Sequence, residues 1–298
     1  MTSVARMTTL LPNELIARLE RLRVQALRRT TSRGRGDHLT GRGGASVDFV
    51  DFRDYAPGDD LRFVDWNVFS RLGRPYLKLY KLEEERHLAI VVDVSRSMRF
   101  EGKLAKAREL AAAFAVMGLH GDDRVGVWAV DGTTKDPQRL RPARGRQFLR
   151  RAFAALEGVT EAEGTVPIER ALEELLNRGR GRGVVVVLSD FLTAGDLTRS
   201  LNLVAAAGWE PLLVQILGAS ELDPELSGDA RLVDSETGEE LDVSAAGDLL
   251  ALYHEHRLAH QRRLAAWCAR RQGRFVDAPA SEDTGAIVAR LRRAGWLA

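Results

Sequence analysis

Asp93-Val94-Ser95-Arg96-Ser97 follows the apolar run Ile90-Val91-Val92 and precedes a helical pattern. An acid and two hydroxyls at alternate positions gather hard oxygen donors at the carboxyl end of a predicted strand. In open α/β sheets, that is where ligands bind. Two more segments are predicted to reach the same sheet edge. Gly164-Thr165 stands just before a helix predicted from Pro167, and Ser189-Asp190 ends the run Val184–Leu188. Magnesium takes oxygen ligands in near-octahedral geometry and usually keeps several waters. The candidate metal ligands are therefore Asp93, Ser95, Ser97, Thr165 and Asp190, with Mg2+ as the expected ion and Mn2+ or Ca2+ as substitutes. Hydroxyls are neutral and leave the ion's charge uncancelled. Such a metal stays electrophilic and can accept a carboxylate from outside. The implied chemistry is metal-gated docking, in which a partner's Asp or Glu completes the shell.

Each residue also has a local alternative. Asp93 and Ser95 can cap the following turn, Thr165 the Pro167 helix, and Asp190 the helix predicted over Leu197–Ala207. The combination on one α/β pattern favours the metal. Catalytic patterns fit less well. A Gly-x-Ser-x-Gly elbow is absent around Ser95. An Asp nucleophile for phosphoryl transfer needs a second acid two residues on, and Ser95 stands there. A magnesium-dependent phosphatase or hydrolase using Asp93 and Asp190 remains the competing class. No Gly-x-x-x-x-Gly-Lys-[Ser/Thr] loop occurs, so ATP hydrolysis by this chain is not expected. His254, His256 and His260 accompany Glu255, but Leu258 occupies the second His of His-Glu-x-x-His, and a polar helix surface is expected instead.

The elements that must position these residues alternate. Strands are predicted at Leu88–Val92, Arg124–Val130, Val184–Leu188, Pro211–Leu217 and Arg274–Asp277. Helices are predicted at Lys103–Leu119, Gln147–Leu156, Pro167–Asn177, Leu197–Ala207, Gly247–Gln272 and Glu282–Arg293. Short apolar strands between amphipathic helices imply an α/β fold: a Rossmann-like, mostly parallel central sheet flanked by helices. Upstream, 12–29 has helical spacing, Val47–Phe52 and Tyr76–Leu82 read as short strands, and Pro57-Gly58 marks a turn. Arg231–Val233 and Glu240–Val243 flank a predicted hairpin turn.

Charge is uneven along the 298 residues. The net charge is only +2, yet residues 1–46 hold nine Arg against Glu14, Glu20 and Asp37. A nucleic-acid-binding role for this basic leader is the third class, but no aromatic platform accompanies the charge, and nucleic acid is not the expected partner. Cys268 is the single cysteine, which excludes an intrachain disulfide. No apolar run approaches the roughly 20 residues of a membrane helix. The expected localisation is cytoplasmic, without membrane insertion.

Asp93-x-Ser95-x-Ser97, Thr165 and Asp190 resemble the metal-ion-dependent adhesion site of von Willebrand factor A domains. Arg53-x-Tyr55-x-x-Gly58-Asp59-Asp60-x-Arg62-x-x-Asp65-Trp66 narrows the likeness. It is similar to the signature of the bacterial "domain of unknown function 58" family, whose members carry a von Willebrand A-like domain. Glu85, Asp123-Arg124-Val125, Leu188-Ser189-Asp190-Phe191, Glu221-Leu222-Asp223-Pro224 and Asp234-Ser235-Glu236-Thr237-Gly238 agree as well. The resemblance implies a magnesium site and a non-catalytic adaptor working with a MoxR-type AAA+ ATPase. It divides the chain into a basic helix and Gly/Arg-rich loop (1–45), a β/turn segment packed on the main domain (46–86), and a von Willebrand A-like domain with C-terminal hairpin and helices (87–298). Within 53–66, Asp59, Asp60 and Asp65 are expected to pair with Arg53 and Arg62, with Trp66 buried.

Overall fold

The structure is a computed structural model that describes residues 7–26, 47–82, 85–130, 138–160, 167–179, 181–193, 196–224, 230–233, 240–243 and 246–298. Its elements run α1 (Asn13–Leu19), β1 (Val47–Asp54), α2 (Trp66–Leu72), β2 (Tyr76–Leu82), β3 (His87–Val92) and α3 (Lys103–His120). They continue with β4 (Arg124–Trp128), β5 (Gln138–Ala143), α4 (Leu149–Glu157), α5 (Ile168–Arg178), β6 (Gly183–Ser189), α6 (Leu197–Ala206) and β7 (Trp209–Gln215). The last are α7 (Ala219–Leu222), β8 (Ala230–Val233), β9 (Glu240–Val243), α8 (Ala246–Arg270), β10 (Arg274–Asp277) and α9 (Thr284–Arg293). The chain divides into two compact units, Met1–Arg28 with Arg86–Ala298, and Arg29–Glu85.

The larger unit is built on a six-stranded sheet in the order β10-β7-β6-β3-β4-β5. All neighbours are parallel except β4 and β5. The mostly parallel α/β class expected from the sequence is thus the observed one. Strand side chains alternate between faces. Leu88, Ile90 and Val92 of β3 join a core with α1, α3, α4 and α9, whereas Ala89 and Val91 join one with α5, α6 and α8. Burial on both faces explains why β3 and β6 read as unbroken apolar runs. Helix α3 sits close on the sheet because Gly118 lacks a side chain: a Cβ there would lie 2.6 Å from both Leu88 and Val125.

Two expectations change here. Of the helix predicted over 12–29, the described residues 12–26 form only α1, because Val24 instead bridges Leu297 in extended form. Arg23 exchanges backbone hydrogen bonds with Ala298, at 3.0 Å each way. The edge strand β5 is an addition to the predicted elements. Its sequence Gln-Arg-Leu-Arg-Pro-Ala buries only Leu140 in the core, so the apolar pattern is too weak to reveal a strand.

The smaller unit is an antiparallel hairpin of β1 and β2, with a register shift between Phe49 and Asp51. Helix α2 lies between the strands in sequence. The Asp65 carboxylate accepts the Asn67 and Val68 N–H groups at its start, and Gly73 closes it in the left-handed region at φ 65°. Arg53 grips Asp59 through two bonds of 2.8 and 2.6 Å, Arg62 pairs with Asp60, and Lys78 with Asp65 at 2.9 Å. The Arg53 hydrogen bonds hold the Asp59 carboxyl below its usual pKa. The ion-paired turn is present, but the burial of Trp66 is not. Trp66 is 58% exposed, at the first position of a seven-residue helix, and stacks edge-on with Phe69 at 5.9 Å.

Candidate metal centre

The sheet order creates the site. From β3 the chain first crosses to β4 on one side and later returns to β6 on the other. The gap between the carboxyl ends of β3 and β6 is therefore a topological switch point, the usual crevice of such sheets. The register Val92↔Leu188 is extended by Asp93 N–H donating to Leu188 O at 2.9 Å, which sets Asp93 beside Ser189. Val94 and Met98 are buried in the core and pin the connecting loop from below.

Asp93, Ser95, Ser97 and Asp190 are all buried there, each at most 8% exposed. Asp93 Oδ1 accepts the Ser95 N–H at 2.9 Å, and Asp93 Oδ2 accepts the Ser189 hydroxyl at 2.5 Å. The Ser95 and Ser97 hydroxyls lie 3.1 Å apart. Asp190 Oδ1 accepts the Leu192 N–H at 3.0 Å, and its Oδ2 takes the Lys103 ammonium at 2.9 Å. Ser189 Oγ also accepts the Phe191 N–H at 2.8 Å. Phe191 is a buried, non-glycine residue at φ 59°, strained backbone of the kind that clusters at functional sites.

Burial pushes the Asp93 carboxyl up to about 6, with repulsion from Asp190 adding to it and the Ser189 and Ser95 hydrogen bonds opposing it. Lys103 offsets the Asp190 charge, whereas the Ser95 and Ser189 groups that Asp93 binds are neutral, so Asp93 is the carboxylate that a divalent cation would satisfy. The donor set suits magnesium. Adjacent ligands of an Mg2+ octahedron at its usual bond length are about 3.0 Å apart, which matches the spacing of the two Ser hydroxyls. Those hydroxyls and Asp93 would be the direct ligands. Among the described residues no three His, Cys, Asp or Glu converge as a metal cluster. His254, His256 and His260 gather no such site either. Thr165, the fifth expected ligand, lies outside the described residues.

The α6 cap is Asp196, which accepts the Arg199 N–H at 3.0 Å, so Asp190 is not needed there. Pro167, not Thr165, stands at the α5 N-cap. Ser95 sits at the N-cap of a short turn of 3-10 helix without a capping bond from its hydroxyl, which leaves that oxygen to the site.

Sequence reasoning missed Lys103, and it named Ser189 only as part of the Ser189-Asp190 segment, not for the hydroxyl that bonds Asp93. Lys103 is fully buried and binds both Asp190 and Glu221. A signal was present: Lys103 shares a helix stripe with Ala107, Leu110 and Phe114, all buried. A lysine on an apolar stripe needs a buried acid. Glu221 is in turn held by the Gly218 N–H at 2.8 Å, and its carbonyl takes the Tyr253 hydroxyl at 2.7 Å.

With this geometry in view, the comparisons with known proteins place the chain. The model of the family described as "Protein of unknown function DUF58" matches residues 51–263. The chain belongs to the DUF58 family. A DUF58 relative, the uncharacterized protein Mb1516 of Mycobacterium bovis, is 30% identical over 209 residues, 68% of this chain and 65% of that protein. The chain thus spans just under two thirds of that relative's length. Solved structures similar to this DUF58 chain include BatB from Bacteroides thetaiotaomicron, at 14% identity and TM-score 0.42, covering 70% of this chain and 98% of that one. A von Willebrand factor type A protein from Catenulispora acidiphila aligns at 20% identity and TM-score 0.34, covering 46% and 34%. Among the described residues, no helix is long and apolar enough to cross a membrane.

Proposed function

We propose that this DUF58 chain is a non-catalytic, magnesium-dependent interaction protein, in which a partner's Asp or Glu completes the shell of a metal held at the β3/β6 crevice. The observation that carries the proposal is the pair of hydroxyls of Ser95 and Ser97, 3.1 Å apart beside the buried Asp93. Neutral oxygens at octahedral spacing hold the ion while leaving most of its charge for an incoming carboxylate. The partner class suggested by the family resemblance is a MoxR-type AAA+ ATPase, with the chain as adaptor in assembly or maturation of a client complex.

The test is a pull-down of a purified MoxR-type ATPase by the immobilised chain. Binding is expected in millimolar Mg2+, lost in EDTA and restored by adding Mg2+ back. Binding that EDTA leaves unchanged removes the mechanism. Turnover of generic phosphate esters in Mg2+ or Mn2+, abolished in Asp93→Asn, would favour a phosphatase instead.

A further inference from the structure

The lysine at the site has no place in the donor set, yet it is the most buried charge in the crevice. Lys103 opens α3, follows Gly102 in the left-handed region at φ 74°, and is 0% exposed. Its ammonium lies 2.9 Å from Asp190 Oδ2 and also binds Glu221 Oε1. Burial works against its charge, but Asp190 and Glu221 outweigh that and keep its pKa above the ordinary lysine value. The other oxygen of Asp190 is taken by the Leu192 N–H, and its backbone carbonyl by Gln215 Nε2 at 2.9 Å. Both oxygens of each carboxylate meet protein donors, but Asp190 holds a cationic one, whereas those on Asp93 are neutral: the Ser95 N–H, the Ser189 hydroxyl and the Ser95 hydroxyl.

We propose that Lys103 is a positioning residue that acts as the site's resident counter-cation: it holds Asp190 Oδ2 off the metal, so that Asp93 is the one carboxylate in direct contact. The proposal rests on the metal-docking reading above and adds a means of tuning it. A divalent ion facing both Asp93 and an Asp190 released from Lys103 would be bound tightly and largely neutralised, with little attraction left for a further acid. Lys103 cancels part of that negative field at close range, in a site where charges are poorly screened. The site trades metal affinity for acceptance of an external carboxylate.

The sign of the effect makes the idea testable. An ordinary structural lysine, once removed, would loosen the site and weaken metal binding. The proposal requires the opposite. Mn2+ is titrated into the full chain and followed by electron paramagnetic resonance, for the wild type, Lys103→Met, Lys103→Arg and the double variant Lys103→Met/Glu221→Gln. The double variant removes the second acid that Lys103 serves, so the fold need not carry it unpaired. Lys103→Met is expected to bind Mn2+ about tenfold more tightly than wild type, and Lys103→Arg to stay near wild type. The double variant, whose local charge equals the wild type's, is expected to keep the smaller part of that gain that comes from freeing Asp190. Adding Asp190→Asn to the double variant is expected to erase the gain. Folded variants with unchanged or weaker affinity, or variants that fail to fold even with Mn2+, overturn the proposal and leave Lys103 as a structural pin. If the wild type itself takes up no Mn2+, the metal reading fails first and this inference falls with it.

Discussion

Asp93→Asn is expected to abolish the stabilisation that Mg2+ gives the wild-type chain, while the fold survives. Asn keeps one oxygen for the Ser95 N–H, and its amide nitrogen replaces Oδ2, so the Ser189 hydroxyl has to turn from donating to accepting there. It removes the one carboxylate bound only by neutral donors, and with it the metal's direct anionic ligand. Metal affinity should fall by about a hundredfold or more, the usual scale for losing a hydrogen-bonded charge from a buried site. The same substitution should behave differently in EDTA. The folded-state value of about 6 lies above the unfolded value of 3.8, so the folded chain holds this proton more tightly. The charged form is then a penalty, absent below about pH 4, growing through the interval, and complete above about pH 6. In EDTA at pH 7, Asp93→Asn should therefore be as stable as wild type or more so. Thermal melts at pH 5 and pH 7, with EDTA or Mg2+, check both halves. A variant that melts far below wild type in EDTA at pH 7 would mean that the Asp93 charge supports the metal-free fold.

Arg86→Ala should be the most damaging change away from the site. Arg86 holds Asp123 by two hydrogen bonds of 2.5 and 2.8 Å and donates a third, at 2.8 Å, to the carbonyl of Val24. Asp123 is only 2% exposed. Burial raises its pKa, and Arg86 offsets that only in part. Taking away one partner of a buried pair strands the other charge, at a cost of about 3–5 kcal/mol. The pair also ties the N-terminal segment to the start of β3, so α1 should lose protection with it. Urea unfolding measures the loss, and hydrogen exchange over 13–26 shows where it falls. A change below about 1 kcal/mol, the range of an exposed ion pair, would mean that water replaces the guanidinium there.

The part of this molecule that could be read from residues alone is the part with strong periodicity. Val184–Leu188 and Leu88–Val92 announce central parallel strands because both faces are covered, and the acids that end them fall at a sheet edge by necessity. Asp93, Ser95 and Ser97 were legible for the same reason: their spacing is local. What resisted was anything decided by tertiary contact. β5 pairs antiparallel at an edge and buries one leucine, so its arginines read as loop. Helix α2 is seven residues long and depends on its Asp65 cap rather than on an apolar face, which is also why Trp66 lies open. For Lys103 the helix stripe signals burial, but the acids that pair with it are 87 and 118 residues away and cannot be named from local pattern. Long-range ion pairing leaves little trace in local pattern.

The central claim is that a divalent ion sits between the ends of β3 and β6 on Asp93 and two serines. The most direct measurement is an anomalous difference map from crystals of the chain grown with Mn2+. The account predicts one strong peak within about 2.0–2.3 Å of an Asp93 carboxylate oxygen, Ser95 Oγ and Ser97 Oγ, with Asp190 still on Lys103. A well-ordered crevice with no peak, or a peak held by Asp190 while the serines stay bonded to each other, would contradict it.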